Sequence, residues 1–295
     1  MTEHCRILGV DFTSAPRRAK PITVASGALR DETLHIDRIE ELTDFSAFDS
    51  LLARPGPWLG GFDFPFGLPR ELLVHLAWPH QAADGQGPWE RMIRHLDQLP
   101  RERMVAAFRA WCDARPVGSK FAHRATDLLA GSSPSMKWVN PPVAFMLQAG
   151  APRLLAAGVS IPGMHLGDSS RIALEAYPGM LARAIVGRRS YKSDAAAGRT
   201  AERTQARREI VAALEQGNEL GLALWLNPAL RERCIEDPRG DLLDAVLCAA
   251  QAGWGWLRRE QGYGLPDRID PVEGWIVNAP DAPVPETPPA ATANR

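Results

Sequence analysis

The chain has 295 residues, of which 45% are hydrophobic, a formal net charge of -1 at pH 7 and a sequence pI of about 6.7. This length and hydrophobic content allow a sizeable core, which excludes a mainly disordered protein and favours one large domain. Because the net charge is close to zero, overall charge gives no reason to expect a nucleic-acid partner. Only a local cluster of basic residues could give one.

The sequence has none of the patterns of a secreted or membrane protein. No secretory signal precedes the first cysteine, and the four cysteines are far apart: Cys5, Cys112, Cys234 and Cys248. The most apolar late stretch, residues 245–257, is shorter than the roughly 18 apolar residues that a bilayer crossing needs. We therefore expect a cytoplasmic protein with reduced thiols and no membrane contact. The sequence leaves the oligomeric state open.

The first part of the chain predicts three strands, a helix and a fourth strand, at residues 5–12, 21–29, 32–39, 45–52 and 58–62. The second and third strands alternate apolar and polar residues, which is typical of an antiparallel hairpin. Thr43 or Asp44 is expected to cap the helix. Asp11 and Asp63 stand near the ends of the first and fourth strands. This order of elements matches the opening of a ribonuclease H-like fold.

Asp63 occupies the most informative position of the chain. An apolar run at 58–62 precedes it, and a turn rich in proline and glycine at 65–69 follows it. An ionised carboxylate in apolar surroundings is costly unless a partner compensates its charge. The best candidate partner is a divalent cation shared with four other acids: Asp11, Glu175, Asp241 and Asp244.

The remainder of the chain predicts a mostly helical insertion at about residues 68–170, followed by a return to the sheet. The predicted elements are helices at 70–77, 89–98 and 100–113, a loop at 124–142, a strand at 171–176, helices at 179–186, 199–216, 218–226 and 241–260, and a short strand at 274–277. We expect one α/β domain over residues 1–278, with a mixed sheet flanked by helices. The tail at 279–295 contains five prolines and is expected to be disordered.

Each of the five acids also has an ordinary structural explanation. An aspartate at a strand end often forms an Asx turn, which would account for Asp11 or Asp63. Asp241 and Asp244 are three residues apart in the first turn of a predicted helix, where acids cap amide groups and suit the helix dipole. Glu175 would form a salt bridge with Arg171 or Arg183. These explanations stay open beside the metal site.

Carboxylates at strand ends and at a helix start can converge at one edge of a sheet. That arrangement suits phosphodiester hydrolysis, because hard divalent cations take oxygen ligands. Two such ions roughly 3.5 to 4 Å apart activate the attacking water and stabilise the leaving oxygen. The sequence therefore predicts Mg2+ or Mn2+ as the cofactor.

Four segments together resemble an uncharacterised family of predicted RNase H-like nucleases. They are Gly-Val-Asp-Phe-Thr at 9–13, Gly-Phe-Asp-Phe-Pro-Phe-Gly at 61–67, Glu-Ala-Tyr-Pro at 175–178 and Asp-Leu-Leu-Asp-Ala-Val-Leu-Cys-Ala at 241–249. The last segment is also similar to the final helix of RuvC-type resolvases. The resemblance implies a ribonuclease H-like fold, nuclease activity and a set of metal ligands: Asp11, Asp63, Glu175 and Asp244, with Asp241 as an alternative.

Basic residues cluster between 183 and 208 and can neutralise the phosphates of a nucleic acid. The ordinary alternative is a solvated helix face with ion pairs four residues apart. The same resemblance implies that Tyr191, Lys192 and Arg203 contact substrate phosphate. Arg124, in the insertion, is a further candidate for substrate binding, although it also suits a helix cap.

Two other functions remain open. A nucleotide-binding ATPase or kinase-like protein of the same core fold would use Asp11 and Thr13 for Mg2+ and a phosphate, but the chain has no second glycine-rich phosphate loop. A non-catalytic binding protein would keep the fold alone.

Overall fold

A computed structural model describes residues 5–217 and 219–281. The strands in this part of the chain are β1 (Arg6–Asp11), β2 (Ile22–Arg30), β3 (Thr33–Leu42), β4 (Trp58–Phe62), β5 (Val159–Ser160), β6 (Asp168–Glu175) and β7 (Ala223–Leu226). They form one sheet in the order β5-β6-β4-β1-β2-β3-β7. β2 is antiparallel to both of its neighbours, and every other neighbouring pair is parallel. The expected mixed α/β sheet is confirmed.

Helices cover both faces of the sheet. They are α1 (Phe45–Leu52), α2 (Arg70–His75), α3 (Pro88–Gln98), α4 (Arg101–Asp113), α5 (Ala125–Ala130), α6 (Val143–Ala157), α7 (Pro178–Val186), α8 (Ala201–Gln216), α9 (Pro228–Glu236) and α10 (Asp241–Leu257). Helices α2 to α6 lie between β4 and β5, in the segment from 68 to 170 that we call the insertion. None of the helices in the described residues combines the length and the apolar character that a membrane crossing needs.

Several local predictions agree with the structure. β2 and β3 form the expected hairpin. Asp44 caps α1, because its Oδ1 accepts a hydrogen bond of 2.9 Å from the Ala47 amide. The four cysteines are buried, and no disulfide joins any of them within the described residues. The tail expected to be disordered lies outside the described residues from position 282 onward.

The helix predicted at 218–226 is wrong over its second half, where the chain forms β7. Leu224 and Leu226 are buried, whereas Trp225 between them is 47% exposed. This alternation has the period of a strand, and Leu224 pairs with Leu34 of β3. Four residues are too few to separate a strand period from a helix period in sequence. The strand predicted at 274–277 is reduced to one bridge between Glu175 and Ile276.

The sheet separates two hydrophobic cores, and successive residues of a strand point into different cores. On β1, Ile7 packs in the core beneath α10, while Leu8 and Val10 pack in the core beneath the insertion. The face on which a side chain leaves the sheet therefore follows from its position along the strand.

Two glycines bring α10 close to the centre of the sheet. Gly9 of β1 and Gly61 of β4 are paired in register. A Cβ atom at Gly9 would overlap the backbone of Ala245 and Ala249 in α10. At Gly61 it would meet the carbonyl oxygen of Cys248 at 2.5 Å. Both positions accept only a hydrogen atom, so the sequence fixes the depth at which α10 packs.

Gly9→Ala is expected to lower the free energy of unfolding by about 3 kcal/mol, because overpacking against helix backbone forces the helix outward. The measurement is urea unfolding of the purified protein. Gly87→Ala is the matched control, since nothing lies within 4 Å of a Cβ at Gly87 and its φ is an ordinary -72°. It is expected to change stability by less than about 1 kcal/mol. Equal effects of the two substitutions would contradict the close packing of α10.

Candidate active site

Asp11 and Asp63 lie side by side at the carboxyl ends of neighbouring parallel strands. Asp11 is the last residue of β1, and Asp63 directly follows β4. The Asp63 amide donates a hydrogen bond of 2.9 Å to the carbonyl oxygen of Val10, which continues the ladder. Each aspartate comes two residues after a glycine that faces α10. Because side chains alternate between faces, both carboxylates leave the sheet toward α10.

The start of α10 places two more acids at the same edge. Gly240 is the N-cap residue, and Asp241 and Asp244 stand in the first turn. The Leu242 amide is capped instead by Asp237, whose Oδ2 accepts its hydrogen bond at 3.1 Å. The Asp244 carboxylate accepts from Tyr191 and Lys192, Asp241 Oδ2 accepts no hydrogen bond, and no bond from a helix amide to either side chain is found within the described residues. Helix capping therefore does not account for this pair of acids.

We call Asp11, Asp63, Asp241 and Asp244 the acid cluster. Burial raises the pKa of Asp11 well above its usual range, and the carboxylates of Asp244 and Asp63 raise it further. Burial also raises the pKa of Asp63 to about 7; the ammonium of Lys192 opposes this rise, and Asp244 and Glu175 add to it. Burial and the neighbouring carboxylates thus disfavour the ionised forms of Asp11 and Asp63, and Lys192 offsets this only in part.

Tyr191 and Lys192 both contact Asp244. The Tyr191 hydroxyl donates a hydrogen bond of 2.5 Å to Asp244 Oδ1, and the Lys192 ammonium forms an ion pair with Asp244 Oδ2. Although burial opposes it, Asp244 holds the pKa of Lys192 well above its usual range. Lys192 also acts electrostatically on Asp11 and Asp63. Tyr191 and Lys192 lie at the predicted site, and the group that both of them contact is the Asp244 carboxylate.

Arg207 positions this pair of residues, although it was not among the residues predicted for the site. Its side chain is buried and donates hydrogen bonds of 2.7 Å to the Tyr191 carbonyl oxygen and 2.5 Å to that of Ile235. The available signal was an arginine on the helix face that also carries Ile210, Val211 and Leu214. A cation among apolar residues at helical spacing needs buried acceptors.

Glu175 is held by an arginine, not by the acid cluster. Arg124 donates hydrogen bonds of 2.6 Å to Glu175 Oε1 and 2.7 Å to Oε2, and it also pairs with Asp127 at 2.8 Å. The Phe66 amide donates a further hydrogen bond to Glu175 at 2.9 Å. The three side chains, which we call the ion triad, are at most 3% exposed. Both oxygens of Glu175 have partners, so we do not retain it as a metal ligand.

The position of Glu175 in the sheet explains why its side chain points away from the acid cluster. Glu175 pairs in register with Phe62, whereas Asp63 is one residue further along β4. A shift of one residue moves a side chain to the opposite face. Glu175 therefore points toward the insertion, although it is near enough to raise the pKa of Asp63. The same pairing occupies Arg124, which we do not retain as a phosphate contact.

Arg203 stands apart from the acid cluster. Its guanidinium donates to the carbonyl oxygen of Gly198, and it lines a surface depression beside Arg189 at the start of α8. The cleft that contains Asp11, Asp63 and Asp241 is instead lined by Thr13, Ser14, Lys20, Lys192 and Arg239, among others. The structure thus gathers four of the five predicted acids with Tyr191 and Lys192, but not Arg203.

The donors of the acid cluster fit a hard divalent cation. They are all carboxylate oxygens, and Asp241 Oδ2 is buried and accepts no hydrogen bond, with Arg239 Nε 3.4 Å away as its ion-pair partner. Across residues 5–217 and 219–281, however, no group of three or more His, Cys, Asp or Glu side chains is already arranged around a metal position. The Lys192 ammonium supplies the positive charge instead. A cation at Asp244 Oδ2 would take the place that the Lys192 ammonium now occupies.

Comparison with known proteins identifies one family. The family model described as "Protein of unknown function (DUF429)" matches residues 9–270, which is most of the chain. No curated protein and no solved structure match the chain.

Proposed function

The chain belongs to the DUF429 family of proteins of unknown function, and we propose that it is a metal-dependent nuclease or phosphodiesterase with a ribonuclease H-like fold. Its cofactor is Mg2+ or Mn2+, and its substrate is a nucleic acid. One observation carries the proposal: Asp11, Asp63 and Asp244 come from distant parts of the chain and meet at one sheet edge, where burial raises the pKa of both Asp11 and Asp63.

The topology supports the ribonuclease H-like assignment. The chain begins with a meander of three strands, and the fourth strand then adds in parallel to the first. β6 adds in parallel on the far side of β4. The acids follow the central strands β1 and β4, at the edge where parallel strands present their carboxyl ends. Ligand sites of open α/β sheets are found outside this edge.

The residues that would hold the cation are Asp11, Asp63 and Asp244, with Asp241 beside them. A bound divalent ion would supply Lewis acidity and a water of lowered pKa. Lys192 would then be released from Asp244 to face the phosphate. Tyr191, fixed through Arg207, keeps a hydrogen bond on Asp244 and orients that carboxylate. A ligand oriented in this way needs no rearrangement of its own when the cation enters.

A nucleotide-binding ATPase is the second candidate, and the lining of the acid cleft favours it. Thr13, Ser14 and Lys20 line the cleft beside Asp11, where hydroxyl and ammonium groups could contact a polyphosphate. Tight ATP binding without cleavage of any nucleic acid would favour this function over the nuclease.

Asp11→Asn is expected to reduce Mn2+-supported cleavage by more than about 100-fold, since even indirect changes at metal sites cost 10- to 100-fold. The measurement is cleavage of single-stranded DNA, duplex DNA and RNA by the purified protein with Mn2+. Asp37→Asn, at an exposed position on β3, is the control and is expected to keep full activity. Cleavage retained by Asp11→Asn, or no cleavage of any substrate by the wild type, would contradict the proposed function.

A further inference from the structure

A second cavity opens beside the acid cluster. Its volume is about 220 Å³, and most of its lining is apolar: Phe64, Pro65, Val143, Met146, Tyr177 and Ile276. We call it the apolar lobe. Asp63 and Lys192 line both the apolar lobe and the acid cleft, as do Pro141 and Met146. A group bound in this lobe is therefore adjacent to a phosphate held at the acids.

The polar groups of the apolar lobe indicate an uncharged ligand. Four charged residues line it. Asp63 and Lys192 stand where the lobe meets the acid cleft, and the charges of Arg124 and Glu175 are committed to each other in the ion triad. The hydroxyl groups of Ser132 and Ser133 line it as well. The Ser132 hydroxyl donates to Asp127, whereas no hydrogen bond involves the Ser133 hydroxyl within the described residues. An aromatic ring, a thioether and a free hydroxyl suit a flat, mostly apolar group with polar edges.

The size of the apolar lobe restricts its occupant further. Pockets for drug-sized ligands hold roughly 300 to 1,000 Å³. At about 220 Å³ the lobe is smaller, and it has room for one ring system but not for a base pair. The insertion closes it on one side, because Pro141, Val143 and Met146 belong to that segment.

We propose that the apolar lobe binds one unpaired nucleobase of the substrate, next to the phosphodiester held at the acid cluster. This inference rests on the proposed function and specifies its substrate class. The substrate is a single strand, or a nucleotide turned out of a duplex, since a stacked and paired base cannot enter. The occupied lobe places the phosphate bonded to that nucleotide beside Asp63 and Lys192.

Two chromogenic diesters with the same leaving group test the inference. Thymidine p-nitrophenyl phosphate carries a base, and methyl p-nitrophenyl phosphate does not. The wild type with Mn2+ is expected to show a kcat/KM roughly 5- to 150-fold higher for the thymidine diester, the range of one base–aromatic stack. Ser133→Phe fills the lobe from its rim and is expected to remove this preference while retaining hydrolysis of the methyl diester. Ser119→Phe, at an exposed position outside the lobe, is expected to keep the wild-type ratio.

The possible outcomes separate the two proposals. Hydrolysis of neither diester, together with no cleavage of any nucleic acid, would overturn the proposed function and the inference with it. Equal hydrolysis of both diesters by the wild type would overturn the inference alone, and this comparison decides the question even where Ser133→Phe fails to fold. A preference that persists in a folded Ser133→Phe would also overturn it.

Discussion

Asp63→Asn is expected to stabilise the metal-free protein at pH 8 by about 2 to 4 kcal/mol while abolishing metal-supported hydrolysis. The pKa of Asp63 is raised by burial from 3.8 to about 7. A shift of one pKa unit corresponds to about 1.4 kcal/mol of differential interaction between the two protonation states. The folded protein at pH 8 therefore holds a charge that the unfolded chain solvates better. Asparagine keeps the shape of the side chain and removes that charge.

The sign of the pH dependence follows from the direction of the shift. Between about pH 4 and pH 7 the folded state keeps a proton on Asp63 that the unfolded state has lost, so stability falls as the pH rises through this window. Above about pH 7 Asp63 is ionised in both the folded and the unfolded state, so its contribution to the free energy of unfolding no longer changes with pH. The wild type should therefore lose stability across the window relative to Asp63→Asn, and the two proteins should converge at low pH.

Urea unfolding in EDTA at pH 5 and pH 8 measures this difference. Asp37→Asn is the control, since Asp37 is exposed on β3. This substitution is expected to leave the free energy of unfolding unchanged at both pH values. A variant Asp63→Asn that is less stable than the wild type at pH 8 would show that the ammonium of Lys192 already compensates the carboxylate. The cluster would then have no need of a cation.

Arg124→Met is expected to lower the free energy of unfolding by about 3 to 5 kcal/mol, the cost of leaving a buried ion pair with one partner. Its removal leaves the carboxylates of Glu175 and Asp127 buried without their cation. Arg124 also donates a hydrogen bond of 2.9 Å to the carbonyl oxygen of Glu273. The ion triad thus joins β6, the insertion and the last described segment.

Thermal unfolding measures this loss, which corresponds to a decrease in Tm of roughly 10 °C. Arg94→Met is the matched control, because Arg94 forms an exposed pair with Glu90 in α3 and should cost less than about 1 kcal/mol. The opposite result, a stable Arg124→Met that has lost only its affinity for nucleic acid, would restore Arg124 as a phosphate contact and Glu175 as a free acid.

The sequence was sufficient to predict that Asp11, Asp63, Asp241 and Asp244 lie at one edge of the sheet. A strand end after an apolar run locates Asp11 and Asp63 at one edge, and a helix start locates Asp241 and Asp244. What made this possible is that parallel strands bring their carboxyl ends together whatever the length of chain between them.

Glu175 lies near the predicted edge of the sheet but outside the acid cluster. A carboxylate at that edge joins the cluster only if its side chain also leaves the sheet on the face toward α10. The register of β6 against β4 places Ala176, not Glu175, at the level of Asp63. Register depends on pairing between strands separated by more than a hundred residues, so no local pattern contains it.

Contacts made by loops could not be predicted either. Lys192 and Tyr191 reach Asp244 from the connection between α7 and α8. The buried hydrogen bonds of Arg207, and a hydrogen bond of 2.9 Å from the Ser193 amide to the Pro238 carbonyl oxygen, hold this connection against the acid cluster. Arg203, eleven residues after Lys192, belongs to the same basic run in sequence yet lines a different depression.

The most direct test of the acid cluster as a cation site is anomalous scattering from crystals soaked in Mn2+. We expect a peak bounded by the carboxylates of Asp11, Asp63 and Asp244, with the Lys192 ammonium withdrawn from Asp244. If crystals at saturating Mn2+ show no peak there and Lys192 remains paired with Asp244, the acid cluster is not a cation site.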